Sequence, residues 1–122
     1  MTTPSIPEPV RQIPQQQPNL GFAVLVGSRA TGTQRPGSGW DNALQWAPTV
    51  DAHSALGATE TLRRQLAHAL QQSATAVDLI DLRRANLAMR ASVAEEGQAL
   101  HIANDLSWAQ FLERSLARTG AV

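Results

Sequence analysis

The sequence predicts a small α/β domain built on a mixed sheet with helices packed on one face. Two observations carry this prediction. Short β-prone apolar runs occur at Leu20 to Val26, Trp40 to Ala47, Ala76 to Leu82 and Ala99 to Ala103. The stretches after the second, third and fourth runs carry helical spacing or helix-favouring residues instead. Strands interleaved with helices give an order of β, loop, β, α, β, α, β, α, the alternation of a layered α/β domain.

Residues 1–19 hold five of the seven prolines and the run Gln15-Gln16-Gln17. Proline removes a backbone donor and fixes φ, so a long helix or a central strand is not expected there. The stretch reads as an extended Pro/Gln-rich arm with room for one helical turn near Val10 to Ile13, and residues 20–122 read as the domain proper. Leu20 to Val26 is a buried strand stopped by Gly27. Residues 27–39 contain four Gly, one Pro, two Ser and two Thr, a loop composition that also admits a helical turn from Ser28. Trp40 to Ala47 is a second strand, ended by Pro48, and residues 49–57 read as loop.

Thr59 or Thr61 is then a candidate cap for a helix to about Gln72, with Leu62, Leu66 and Ala69/Leu70 on one stripe. In the third strand Asp78 and Ile80 share one face, and Val77, Leu79 and Asp81 share the other. Arg84 to Glu96 favours helix, and Gly97 stands where a left-handed C-terminal residue belongs. After the fourth strand, Asn104 or Asp105 caps a last helix to about Arg118, with Leu106, Ala109, Leu112 and Leu116 expected inward and Gly120 ending it.

Composition narrows the function. The 122 residues carry ten Arg, no Lys, ten acidic residues and no Cys. Thiolate metal sites, disulfides, a cysteine nucleophile and any lysine-based chemistry are therefore excluded. A formal net charge of zero argues against direct DNA binding through a broadly basic surface. No apolar run reaches the roughly 20 residues that a membrane helix needs. The N-terminus lacks a basic-then-apolar export signal, so the expected location is cytoplasmic. His53, His68 and His101 lack metal-ligand spacing.

The chemistry-bearing segment is Gly27-Ser28-Arg29-Ala30-Thr31-Gly32, followed by Arg35-Pro36-Gly37-Ser38-Gly39-Trp40-Asp41. Small residues directly after a strand let backbone N–H groups approach an anion, and Ser28 adds a hydroxyl. A carboxylate on the next strand can hold Mg²⁺ against the same phosphates, because Mg²⁺ takes one or two carboxylates plus phosphate oxygens and water.

These residues resemble the minimal nucleotidyltransferases (MNT) of the DNA polymerase β superfamily. The family pattern is Gly-Ser, ten residues, then Asp-x-Asp. Here ten residues, Arg29 to Ser38, separate Gly27-Ser28 from Gly39-Trp40-Asp41, so Gly39 stands at the first Asp. Val77-Asp78-Leu79-Ile80-Asp81-Leu82 is similar to the segment bearing the third family carboxylate. Glu95-Glu96-Gly97-Gln98-Ala99-Leu100 is similar to the helix-Glu-Gly-strand continuation.

The resemblance spans roughly residues 20–105. It implies a polymerase-β-like fold, Mg²⁺ as cofactor and ATP as substrate. It also implies Gly27, Ser28, Arg29 and Ser38 as nucleotide-binding residues, and Asp41 and Asp78 as catalytic and metal-binding carboxylates. Asp81 is the fallback for Asp78, and Asp51 is a replacement ligand only if the loop after Pro48 folds back.

Small stand-alone members resemble the antitoxin half of MNT–HEPN toxin–antitoxin pairs, which implies a HEPN-domain toxin as partner and AMP transfer onto it. Gly39 keeps a second reading open, an inactive module that neutralises a HEPN RNase by contact. A third is a substrate-binding subunit working with a separate protein. Self-association into a homo-oligomer is left open.

Overall fold

The computed structural model describes residues 6–117. Four strands form one mixed sheet in the order β3-β2-β1-β4. They are β1 (Leu20–Val26), β2 (Trp40–Trp46), β3 (Val77–Asp81) and β4 (Gln98–Ile102). β1 pairs antiparallel with both β2 and β4, and β2 pairs parallel with β3. Five helices accompany it: α1 (Glu8–Gln15), α2 (Ser28–Thr31), α3 (Ala52–Ala69), α4 (Leu87–Glu96) and α5 (Asp105–Ala117). The α/β class and all four strands are as the sequence predicts.

The helices cover both faces of the sheet, which corrects the one-face expectation. Ala23 and Leu25 of β1 join Leu44, Trp46, Leu62, Leu66 and Val10 in one core, beneath α1 and α3. Phe22, Val24 and Val26 join Ala43, Val93 and Phe111 in the other, beneath α4 and α5. The reason lies in β1. It is apolar on both faces, and a strand buried on both faces must be covered on both.

The stretch read as an extended arm contains a docked helix. Pro7 and Pro9 stand at the helix entry, where a missing N–H is harmless, and Val10 is buried in the first core. The third helix begins seven residues before Thr59. Asp51 is its cap, accepting from the Ser54 backbone N–H at 2.7 Å, so residues 52–57 are helix and not loop. That capping task also removes Asp51 as a replacement ligand. Thr59 is instead buried inside the helix, where its hydroxyl accepts from Trp46 Nε1 at 3.0 Å and ties α3 to the sheet.

Asn86 caps α4 through the Met89 N–H. Gly97 ends that helix in extended and not left-handed conformation (φ −71°, ψ 154°). Its glycine character is a packing requirement, because a Cβ there would collide with the Val24 side chain and the Val93 carbonyl.

Asn104 caps α5, accepting from the Ser107 N–H. The inward face of α5 is Trp108, Phe111 and Leu112, while Leu106 and Ala109 are exposed, a rotation of the expected stripe. Phe22 holds that face through edge and tilted ring contacts to Trp108 (4.9 Å) and Phe111 (5.3 Å). The expected end of this helix at Arg118 and Gly120 lies outside the described residues. No helix among the described residues is long and apolar enough to cross a membrane.

Candidate nucleotide site

The site lies where β1 ends and β2 and β3 begin, on the α4 face of the sheet. Parallel pairing of β2 with β3 sets Asp41 directly opposite Asp78. Adjacent strands run about 4.8 Å apart, so the two carboxylates are immediate neighbours. On its other side Asp41 pairs with Val26, and Gly27 follows at the strand end. A Cβ at Gly27 would stand 2.6 Å from Asp41 Oδ2, so the carboxylate rests against the bare glycine. Gly27 has φ 75° and ψ −158°, a region that L-residues with a side chain essentially avoid.

Val26, Gly27, Asp41, Asp78 and Ile80 line a cavity of about 240 Å³, closed on its far side by Met89, Ser92 and Val93 of α4. Burial first, and the Asp78 charge second, raise the Asp41 pKa above the ordinary carboxylate value. Two like charges forced together on rigid strands favour a cation between them. Among the described residues, no three Asp, Glu or His side chains gather into a group that could hold a metal by themselves. A cation here would complete its shell from a ligand or water. Such a donor set suits Mg²⁺, which takes one or two carboxylates and fills the remainder with phosphate oxygens and water.

The other expected residues fall into two groups. Ser28 opens α2 beside Gly27 and is half-buried. Arg29 turns away to hold the loop. It donates from Nη2 to the Ser38 carbonyl (2.7 Å) and from Nε to the Gly39 carbonyl (3.1 Å). Its guanidinium also stacks 4.0 Å from the Trp40 ring centroid. Ser38 closes the turn it belongs to, accepting from the Arg35 N–H through Oγ and donating its own N–H to the Arg35 carbonyl. Arg29 and Ser38 therefore shape the loop and do not line the cavity.

Asp81, the fallback carboxylate, accepts from the Arg83 N–H and pairs with the Arg83 guanidinium. It lies away from Asp41. Met89 and Ser92 are site residues that sequence reasoning missed. They stand three apart on α4, and only the docking of α4 over the strand ends reveals them.

Gly39 itself is tightly packed. A Cβ there would lie 2.9 Å from the Ala76 carbonyl oxygen, a backbone atom with little freedom to yield.

The family model described as polymerase beta, nucleotidyltransferase, matches residues 8–106. The chain belongs to this nucleotidyltransferase family. No curated protein matches the chain. Among solved structures, this chain is similar to a chain of a toxin–antitoxin crystal structure with AMP-PNP. They share 27% identity over 91% of this chain and 83% of that one, with a TM-score of 0.69.

It is likewise similar to a chain of a mutant MntA-HpeT toxin–antitoxin complex, at 27% identity over 95% and 88% of the two chains and a TM-score of 0.70. A chain from the structure of a tri-AMPylated Shewanella oneidensis HEPN toxin in complex with MNT antitoxin shares the fold. There the identity is 24%, the coverage 87% and 76%, and the TM-score 0.60. The nucleotidyltransferase domain is thus similar to proteins that form toxin–antitoxin complexes.

Proposed function

We propose that this chain is an MNT-type antitoxin that binds Mg²⁺-ATP and transfers AMP to a HEPN-domain toxin in the cytoplasm. The observation that carries the reading is the in-register pairing of Asp41 with Asp78 against the bare Gly27 backbone. The similarity to toxin–antitoxin structures, one of them with AMP-PNP, supports the class of partner and of nucleotide.

In this reading Asp41 and Asp78 would hold Mg²⁺, which when bound supplies charge neutralisation for the triphosphate. Gly27 seats the Asp41 carboxylate against its bare Cα, and its backbone and the Ser28 hydroxyl beside it would meet the phosphates. Asp78 is exposed at the cavity mouth and is the carboxylate placed to take the proton of an incoming acceptor hydroxyl. Ser92 and Met89 form the α4 wall. Arg29 fixes the Ser38-Gly39 backbone that leads into Asp41.

The reading includes Gly39 as the position where family members carry a further metal-binding Asp. With Gly39 in place the carboxylate pair has no third member, and transfer is slower than in a three-carboxylate enzyme. Even the loss of an outer-shell partner commonly costs about 10–100-fold.

The experiment mixes the chain with a HEPN-domain toxin, Mg²⁺ and ATP, and weighs the toxin by intact-mass spectrometry. Addition of one or more AMP units supports the transfer reading. RNase inhibition by the complex with no added mass, retained in Asp41→Asn, would replace it with neutralisation by contact, the reading favoured by the crowding at Gly39.

A further inference from the structure

A second cavity, of about 360 Å³, opens on the same face of the sheet at the opposite end of β2. Asp41, Ala43 and Gln45 alternate onto this face, which places Gln45 about 13 Å along the strand from Asp41. Three arginines converge on the cavity: Arg83 from the turn after β3, Arg90 from α4 and Arg114 from α5. Gln45, Gln110 and Ser107 add neutral polar groups, and no carboxylate lines it.

Two of the guanidiniums are anchored from behind. Arg90 donates from Nη1 to the Leu82 carbonyl (2.6 Å) and lies 5.4 Å from the Phe111 ring centroid. Arg83 donates from Nη1 to the Val50 carbonyl (2.6 Å) and meets Asp81 through Nη2 at 3.5 Å. The Arg114 guanidinium forms no hydrogen bond or ion pair among the described residues. Among the described residues Asp81, behind Arg83, is the one carboxylate ion-paired with these three arginines, and none lines the cavity, so the lining keeps a positive excess. Its volume lies at the lower end of the range for small-ligand pockets.

We propose that this cavity binds phosphate esters. Guanidinium forks suit phosphate oxygens, and anchored forks lose little freedom on binding. A tetrahedral, multiply charged group accepts from several directions at once, which suits donors arriving from three separate elements better than a single planar carboxylate would. The phosphate has two sources: a free nucleotide, or the phosphodiester backbone of a short oligoadenylate. The second source rests on the proposed AMP transfer, with the growing product running from the carboxylates along β2.

The test is calorimetry on the full chain at low salt with EDTA present, which silences any metal-dependent binding at Asp41 and Asp78. The probes are inorganic phosphate, ATP and 5′-phosphorylated triadenylate. Binding that weakens with added salt is expected, with at least a tenfold loss in Arg114→Gln, an exposed position where folding is not at stake, and a comparable loss in Gln110→Glu. Tighter binding of triadenylate than of ATP assigns the oligonucleotide source, and the reverse order assigns the free nucleotide.

If no probe binds, or if both cavity variants stay within twofold of the parent, the proposal is overturned. Loss of HEPN-toxin binding in Arg114→Gln without any phosphate binding overturns it as well and makes the cavity a protein interface. Failure of AMP transfer leaves these outcomes untouched, so the two readings fail separately.

Discussion

Replacing Gly27 by alanine probes the site at its tightest point. Two penalties combine there. The backbone lies at φ 75°, ψ −158°, where a residue with a Cβ is strained by about 1–3 kcal/mol. The new Cβ would also stand 2.6 Å from Asp41 Oδ2, well inside contact distance, so the carboxylate or the strand end must shift, at a further cost of about 1–3 kcal/mol. The expected loss is about 2–6 kcal/mol, a large part of the roughly 5–15 kcal/mol that a domain has in total.

Gly37→Ala is the matched control. Gly37 also has positive φ (89°), but a Cβ there meets no atom within 4 Å. It should lose the backbone strain alone. Urea unfolding of both variants reads the difference, with an unchanged m-value as the check that the same state unfolds. If Gly27→Ala costs no more than Gly37→Ala, the close seating of Asp41 against Gly27 is wrong, and so is the site built on it.

Three further outcomes follow from the same geometry. Gly39→Asp should lose about 1–3 kcal/mol of stability in EDTA, because its Cβ is driven into the Ala76 carbonyl, and should recover part of it with Mg²⁺; urea curves with and without the metal decide this, and equal stability in EDTA would contradict it. Arg29→Lys keeps the charge but loses the fork that holds two carbonyls and the stack on Trp40, so a loss of about 1–2 kcal/mol is expected by thermal unfolding, with faster amide exchange at Trp40 and Asp41. Asp41→Asn should flatten the pH profile of stability. The Asp41 pKa is raised in the folded state, so the fold binds its proton more tightly than the unfolded chain does. Its contribution is complete below the ordinary carboxylate value and is lost as pH rises through the folded value. In metal-free buffer the variant should therefore be more stable than the parent at neutral pH, and a parent whose stability is no lower at neutral pH than the variant's would refute this.

The candidate residues Gly27, Ser28, Asp41 and Asp78 could be nominated from the sequence because their signals are local. Gly27-Ser28 follows an apolar strand, and Asp41 and Asp78 each sit at the start of one. Their contact was not legible, since it depends on β2 and β3 being parallel neighbours in register. Met89 and Ser92 stayed hidden for a related reason: a helix face becomes a cavity wall only once the helix is docked. Arg29 looked like an anion ligand because the sequence could not show two carbonyls and an indole already occupying it. The N-terminal helix was obscured by proline count, although Pro7 and Pro9 fall at the helix entry where proline is tolerated. The covering of both sheet faces was present in the unbroken apolar run of β1, whose burial pattern fits a strand with no solvent face.

The central claim is that Asp41 and Asp78 form a cation-dependent nucleotide site. Calorimetric titration of Mg²⁺-ATP into the parent chain, Asp41→Asn and Asp78→Asn tests it most directly. Saturable binding by the parent, lost in EDTA and weakened at least tenfold in each variant, is the predicted result. Equal affinity in all three proteins, or binding indifferent to EDTA, would contradict the account.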